Sequence, residues 1–426
     1  MALLYKNGSL FFGEKPCDIL AIAKARPSPF YLYDLDGMRA RARKLKECYP
    51  GIEIHYATKA NGSNRVLSTF RSEGTGVDVV SGGEIRRAFA AGFRASDVIF
   101  SGVGKTRDEL TLAMGLGIKQ INVESPQELV RIVALAKASG QRPRIAFRVN
   151  PDVDAKTHPY ITTGFRENKF GMGENFYPEL KEILRSAGNA VELVGLTLHI
   201  GSQLQDLQPL EDAIGITLKA YRAFQADGFK MQTLDVGGGL GINYKDGHTN
   251  PSRDYALLDG YAAMLQRALK GFDGRLLCEP GRILVGSSGT LVGEVQYVKE
   301  TPFRNFLIVN TGMHHLMRPA LYQAQHRILP LVENADRQIK RYDVVGPICE
   351  SSDVIGRDRE FPEVRQDEFI AIADAGAYGY SMASNYNDHA LPEEYFWEKG
   401  ELTTASGASA LRDTKPARPR GEGFRV

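Results

Sequence analysis

Between residues 52 and 281 the chain alternates, eight times over, between a short apolar run and a longer stretch with helical spacing. The apolar runs are 52–57, 77–80, 98–101, 120–123, 145–149, 193–199, 233–236 and 276–278. Each is almost continuously apolar, as strands covered on both faces are, and such strands belong to parallel sheets with helices packed on them. Helical patterns run through 64–70, 84–91, 107–116, 126–138, 177–187, 210–225 and 255–269, where apolar residues recur three and four positions apart. Glycines at 74, 92, 117, 140 and 228 follow several of them, as helix-ending residues of left-handed conformation would. Eight strand–helix units predict an α/β fold, a closed (β/α)8 barrel. An open doubly wound sheet would normally use fewer strands.

After Gly281 the texture changes. The β-rich runs 290–299, 306–309, 343–345 and 368–373 are not separated by comparable helices, which predicts an antiparallel, all-β domain at the carboxyl end. The short, turn-rich opening of the chain is expected to join it. The expected division is a barrel over 33–281, a β domain over 1–32 plus 282–402, and a disordered Ala/Ser/Gly- and Pro/Arg-rich tail over 403–426.

Composition narrows the function. Hydrophobic residues make up 43% and charged residues 24%, an ordinary globular balance. A net charge of +2 gives no reason to expect nucleic acid as partner. Cys17, Cys48, Cys278 and Cys349 form no CxxC pair, so neither a zinc site nor a redox pair is signalled, and reduced thiols fit a cytoplasmic protein. No apolar stretch approaches a membrane span, and no signal peptide is expected. The eight histidines show no HxH or HExxH spacing, so no metal is expected.

In a barrel of this kind the chemistry sits at the carboxyl ends of the strands. There the sequence concentrates polar residues and glycine. Lys59 follows the first strand within Tyr56-Ala57-Thr58-Lys59-Ala60-Asn61. Desolvation among small neighbours would lower its pKa and suit it to a Schiff base with an aldehyde cofactor; most lysines, though, simply reach solvent. His199 ends the sixth strand. It could stack on a flat cofactor, although a lone histidine is more often a satisfied core group. Gly237, Gly238 and Gly239 follow the seventh strand and could open backbone amides to a phosphate, with Ser202 adding a hydroxyl; a plain flexible loop is the alternative. Glu279 precedes Pro280, Gly281 and Arg282. A carboxylate there could hold the proton on a pyridine nitrogen, and Arg282 could hold an anion by a bidentate contact; a surface ion pair is the plainer reading. Beyond the barrel lie Arg318 with Tyr322, Cys349 with Glu350, and Tyr378. Carboxylates around Cys349 favour a protonated thiol, suited to donating a proton.

These motifs, Tyr-Ala-Thr-Lys-Ala-Asn at 56–61, His-Ile-Gly-Ser-Gln at 199–203, Gly-Gly-Gly-Leu-Gly at 237–241, Glu-Pro-Gly-Arg at 279–282, Cys-Glu-Ser-Ser-Asp at 349–353 and Ala-Gly-Ala-Tyr at 375–378, occur together and in order. In this the chain resembles the fold-type III pyridoxal-phosphate decarboxylases over roughly residues 5 to 400. Arg318-Pro-Ala-Leu-Tyr322 and Cys349-Glu350 resemble the branch that acts on diaminopimelate rather than the ornithine and arginine branch, where an Asp usually follows the cysteine. An alanine racemase would need a tyrosine base and no Cys-Glu block. A silent homologue should have lost Lys59 or Cys349.

The resemblance implies an alanine-racemase-like barrel, pyridoxal 5'-phosphate as cofactor and a small amino-acid substrate, with decarboxylation of meso-2,6-diaminopimelate to L-lysine. It implies that Lys59 bonds the cofactor; that Gly237, Gly238, Gly239, Ser202 and Tyr378 hold its phosphate; that His199 stacks on its ring; and that Glu279 pairs with its nitrogen beside Gly281. Arg282, Arg318 and Tyr322 would hold the substrate's distal carboxylate and Glu350 its distal ammonium, with Tyr378 close by. Cys349 would donate the proton, from the second subunit of a homodimer. The carboxyl tail from Ser406 departs from the family pattern.

Overall fold

The protein is described from a computed structural model, which covers residues 3–13, 15–154, 164, 168–244 and 252–405. Its backbone divides into two compact units: Met38–Ser288 with Gly376–Ser381, and Met1–Gly37 with Gly289–Ala375 and Met382–Val426.

In the first unit, among the described residues, eight parallel strands close into a barrel: β1 (Glu53–Ala57), β2 (Gly76–Val79), β3 (Val98–Phe100), β4 (Gln120–Val123), β5 (Arg144–Val149), β6 (Glu192–Leu198), β7 (Thr233–Asp235) and β8 (Arg275–Cys278). Closure is made where Leu277 and Cys278 of β8 pair with Glu53 and Ile54 of β1. Every apolar run read from the sequence falls on one of these strands to within a residue. Their side chains are buried almost throughout, which is why the runs are continuous rather than alternating.

The helices between strands carry their own start and stop signals. Arg107–Leu116 opens on a capping box, in which the Thr106 hydroxyl accepts from the Glu109 amide and the Glu109 carboxylate accepts from the Thr106 amide. It closes on Gly117 at φ 63°. Pro126–Ser139 begins with Ser125 as cap and proline in the first turn, and ends on Gly140 at φ 69°. Each such cap is worth about 1 kcal/mol.

One element of this region is silent in the apolar-run pattern. Leu35–Cys48 is a helix, although its sequence is crowded with Arg and Lys. Leu35, Met38, Ala42 and Leu45 form its buried face, at helical spacing. On the same face Arg41 is fully buried and donates to Ser288 Oγ at 3.1 Å and to Asp254 Oδ2 at 3.4 Å. A cation can be buried there because Asp254 is buried with it, and Ser287 Oγ donates to the same carboxylate at 2.6 Å.

The second unit is β-rich. A three-stranded antiparallel sheet joins Leu3–Lys6, Ser9–Phe12 and Cys17–Asp18. A larger sheet is built on Gly289–Glu300, which pairs antiparallel with Phe30–Asp34, Asn305–Val309 and Phe369–Ile372. This sheet is mixed rather than wholly antiparallel as expected: Phe306–Ile308 runs parallel to Asp343–Val345, and Glu393–Trp397 runs parallel to Phe30–Asp34. Phe12, Ile19, Phe30, Leu32, Val292, Leu331, Ala371 and Tyr395 share its core. Tyr33, expected to open the barrel domain, sits inside the strand Phe30–Asp34. Thr403 and Thr404, assigned to the tail, close the strand Glu401–Thr404; residues 406–426 lie outside the described residues.

Candidate active site at the carboxyl ends of the barrel strands

β1 runs into a single tight turn, Thr58–Ala60, that presents Lys59. Its Nζ lies 2.7 Å from Asp78 Oδ2 at the end of β2, with Asp78 fully buried and the lysine side chain 37% exposed. Burial acts to lower the Lys59 pKa, but Asp78, Tyr378 and Glu279 together outweigh it, so the ammonium is held above its ordinary value. The expected depression is thus overturned by a neighbour on the adjacent strand. The turn itself is tied to the segment 376–381. Tyr378 N donates to Ala60 O at 2.8 Å, Asn61 Nδ2 to Gly376 O at 3.3 Å and Ser381 Oγ to Ala60 O at 3.3 Å. Tyr378 has φ 56°, a left-handed conformation that costs a non-glycine residue on the order of 1 kcal/mol or more. Gly281 leaves just enough room for this turn: a β-carbon there would come within 3.1 Å of the side chains of Ala57 and Ala60.

Three buried carboxyl groups gather at this rim: Asp78, Asp235 at the end of β7, and Glu279 after β8. Glu279 Oε1 accepts from Asn122 Nδ2 at 3.1 Å and from Ser101 Oγ at 3.3 Å. Burial, then Asp235 and Asp78, push the Glu279 carboxyl well above the usual range, against the pull of Lys59. Burial also raises Asp235, to about 7. Like charges this close cannot all ionise in a dry setting, so the cluster holds protons at neutral pH. Asp78 Oδ1 is buried without a hydrogen-bond partner, while Asp235 is hydrogen-bonded to Glu279 and its Oδ1 accepts from Gly237 N at 2.8 Å.

The glycine triplet is required by its backbone. Gly237 and Gly239 have φ 67° and 108°, and a β-carbon would meet Leu198 O at 2.1 Å and Gly201 O at 2.3 Å respectively. Not all three amides face outward, as the sequence reading expected. Gly237 N is taken by Asp235, and Gly238 N donates to His199 Nδ1 at 3.3 Å. Gly239 is the member whose amide is left for an anion. The bond from Gly238 fixes His199 Nδ1 as an acceptor, and burial, with Arg148 and Lys59 adding to it, pushes the imidazole pKa well down. A neutral, oriented ring results.

Ser202 was expected to reach a phosphate directly. In this structure Ser202 Oγ accepts from Arg282 Nη2 at 2.9 Å, while Arg282 Nη1 donates to Tyr244 OH at 2.6 Å. The Arg282 guanidinium carbon lies 4.7 Å from the Tyr378 ring centroid, a cation–π distance. Arg282 is 5% exposed, and it organises Ser202, Tyr244 and Tyr378 into one group. Tyr244, Asp78, Asp235, Asn122 and Ser101 were not singled out from sequence. The two aspartates could have been, since both end barrel strands.

The remaining candidates lie in the β-rich unit. Arg318 begins the short helix Arg318–Tyr322, which puts Tyr322 one turn later on the same side. Arg318 is 5% exposed, and its Nη1 lies 2.6 Å from His326 Nε2. Cys349 and Glu350 are exposed on a turn. The carboxylates expected to crowd the thiol are engaged elsewhere: Asp353 accepts from Met313 N at 2.6 Å and Ile348 N at 2.7 Å, and Glu350 accepts from Tyr386 OH and Ser352 Oγ.

The barrel rim fits pyridoxal phosphate. It offers an amine, a protonated buried carboxyl, a neutral imidazole and a cradle that only glycine backbone allows. The comparisons agree. Residues 35–286 match the pyridoxal binding domain of the pyridoxal-dependent decarboxylases. The chain is 38% identical over 400 residues to the diaminopimelate decarboxylase of Aquifex aeolicus, covering 94% of this chain and 93% of that one. It is 41% identical over 389 residues to the enzyme of the same name from Helicobacter pylori, covering 91% and 94%. The crystal structure of a Helicobacter pylori diaminopimelate decarboxylase complexed with L-lysine superposes with a TM-score of 0.85 at 39% identity, over 93% of this chain and 98% of that one. With a pyridoxal-binding barrel and such identity along nearly its whole length, the chain belongs to the diaminopimelate decarboxylase family of pyridoxal-dependent decarboxylases.

Proposed function

We propose that the chain decarboxylates meso-2,6-diaminopimelate to L-lysine and carbon dioxide, the closing step of lysine biosynthesis, as a cytoplasmic homodimer. The observation that carries this reading is Lys59, set among the carboxyls of Asp78 and Glu279 at the end of β1, in a chain that also keeps Arg318, Tyr322, Cys349 and Glu350. The L-lysine in the Helicobacter pylori complex supports the product. All four cysteines are free, as a reducing compartment leaves them.

Pyridoxal phosphate, bound through Lys59, supplies an electron sink for the pair left behind when carbon dioxide departs. The chain's own groups do the rest. Glu279 holds a proton for the ring nitrogen, and its raised pKa keeps that proton in place at neutral pH. His199 would serve the cofactor ring as a neutral platform. The Gly239 amide, Ser202 and Tyr378 hold the phosphate, with Gly237 and Gly238 shaping the loop and Gly281 giving the Lys59 turn its room. Arg282 steadies Ser202 and Tyr378 and adds positive charge. Arg318 and Tyr322 take the substrate's distal carboxylate, and Glu350 takes its distal ammonium. Cys349 delivers a proton to the carbon that lost its carboxylate. Specificity follows from charge: a carboxylate buried without Arg318 costs about 3–5 kcal/mol, and a substrate lacking that carboxylate forgoes the pairing with the arginine.

The test is carbon dioxide release with added pyridoxal phosphate from meso-diaminopimelate, ornithine, arginine and lysine. Release from meso-diaminopimelate far above the other three is expected. Preference for ornithine or arginine would replace the substrate assignment.

A further inference from the structure

The segment 384–390 of the β-rich unit has no part in the reaction as described, yet it is bound at both ends and in the middle. At its start Ser384 N donates to His314 O at 2.8 Å. At its end the His389 ring lies 4.7 Å from that of His314, and Ala390 O is 3.0 Å from His315 Nε2. Between these anchors Tyr386 OH donates to Glu350 Oε1, and Asn387 Oδ1 accepts from Cys349 N at 3.3 Å. Asn387 and Asp388 have φ 54° and 62°. Two consecutive left-handed residues that are not glycine are costly, and here they aim the Tyr386 and Asn387 side chains at one turn. That turn is held from its other side too. Asp353, 3% exposed, accepts from Ile348 N and Met313 N. It therefore joins the turn to residues 312–315, the same residues that anchor the strap. Ser352 Oγ donates to Glu350 Oε2 at 2.9 Å, so both oxygens of Glu350 are occupied and its orientation is fixed.

We propose that the strap 384–390 positions the Cys349–Glu350 turn, Tyr386 orienting the carboxylate that receives the substrate's distal ammonium and Asn387 the backbone that carries the thiol. Tyr386 and Asn387 are positioning residues: they act through Glu350 and Cys349. The substrate half of this inference rests on the proposed function; the holding of the turn does not. A carboxylate already oriented when substrate arrives loses less freedom on binding, and its bond from Tyr386 favours the ionised form that an ammonium requires. The groups facing Glu350 are Tyr386, Ser352 and, within its turn, Asp353, and the Tyr386 bond, followed by that from Ser352, holds its carboxyl below the usual range.

Three variants test this in the full-length protein with cofactor. Tyr386→Phe keeps the ring and loses only the hydroxyl. KM for meso-diaminopimelate should rise about tenfold with kcat within about threefold, because an ammonium contact made equally before and during reaction acts on binding. The acid limb of kcat/KM should also move to higher pH, since Glu350 loses the bond that favours its ionised form. Asn387→Gly keeps the left-handed backbone and removes the acceptor, so kcat should fall about tenfold. Asn387→Asp restores an oxygen acceptor and should recover most of that loss. A second readout needs no turnover: alkylation of the exposed Cys349 by iodoacetamide, followed by peptide mass analysis in cofactor-free protein, should change rate in Asn387→Gly and return in Asn387→Asp. Unchanged KM and acid limb in Tyr386→Phe would overturn the substrate half. An unchanged alkylation rate in Asn387→Gly would overturn the strap. Failure of the wild type to release carbon dioxide from meso-diaminopimelate would instead remove the proposed function and the substrate half together, leaving the alkylation result to decide the strap alone.

Discussion

Lys59 Nζ and Asp78 Oδ2 are 2.7 Å apart, joining the ends of two adjacent barrel strands in an ion pair whose carboxylate is wholly buried. The pair keeps the lysine charged until it meets the cofactor, and a charged amine is no nucleophile. Burial alone pulls the lysine pKa down; Asp78, Tyr378 and Glu279 together reverse that sign.

Asp78→Asn should therefore speed capture of pyridoxal phosphate by the cofactor-free protein near pH 7.5, because more of Lys59 is then uncharged. In the wild type the capture rate should keep climbing with pH well past neutrality. Stopped-flow absorbance of the bound cofactor measures both. A variant no faster than wild type at that pH would show that the ion pair does not limit capture.

The carboxyl cluster makes a second prediction, about stability. Asp235 has an ordinary value of 3.8 and is raised to about 7 in the folded chain. A raised acid binds its proton more tightly folded than unfolded. Its contribution is complete below about 3.8 and drains away as pH climbs toward 7. Cofactor-free wild type should lose melting temperature between pH 5 and pH 8. Asp235→Asn, which stays neutral and keeps an oxygen for the Gly237 amide, should lose less over the same range. Parallel melting curves for the two proteins would mean that Asp235 does not hold a proton in the fold.

Substrate choice gives a third. Arg318 is buried beside His326 in the β-rich unit, and no role in holding the cofactor is assigned to it. Arg318→Ala should keep the absorbance of the bound cofactor and lose about two to four orders of magnitude in kcat/KM for meso-diaminopimelate, the measure of about 3–5 kcal/mol for an unpaired buried charge. Near-normal turnover would remove Arg318 from the substrate pocket.

What the sequence disclosed and what it withheld follow from how far each signal reaches along the chain. The barrel strands were legible because a strand buried on both faces needs only its own apolar residues. The Leu35–Cys48 helix was not, because its buried stripe of Leu35, Met38, Ala42 and Leu45 is diluted by arginines and lysines on the other faces, and by Arg41 on the buried one. Among site residues, Lys59 and the glycine triplet announce themselves locally. The sign of the Lys59 shift does not, since it depends on Asp78, nineteen residues away and on the next strand. The same holds for Ser202: the sequence shows its hydroxyl but not that Arg282, 80 residues on, donates to it and orients it. Tyr386 and Asn387 carry no motif chemistry of their own, and only folding brings them to Glu350 and Cys349.

The last prediction concerns assembly. Lys59 belongs to the barrel unit and Cys349 to the β-rich unit, and the proposed homodimer would complete each site with Lys59 from one chain and Cys349 from its twofold mate. Lys59→Ala and Cys349→Ala homodimers should each be nearly inactive. When the two are mixed under conditions that exchange subunits, every mixed dimer then has one site with both defects and one with neither. Random exchange makes about half of the dimers mixed, each with one working site of two, so activity should return to about a quarter of wild type. If both groups came from the same chain, every site would keep one defect and nothing would return. Continued inactivity after exchange has been demonstrated by mass-tagged subunits would thus refute the shared site, while carbon dioxide release by the wild type would still support the decarboxylase.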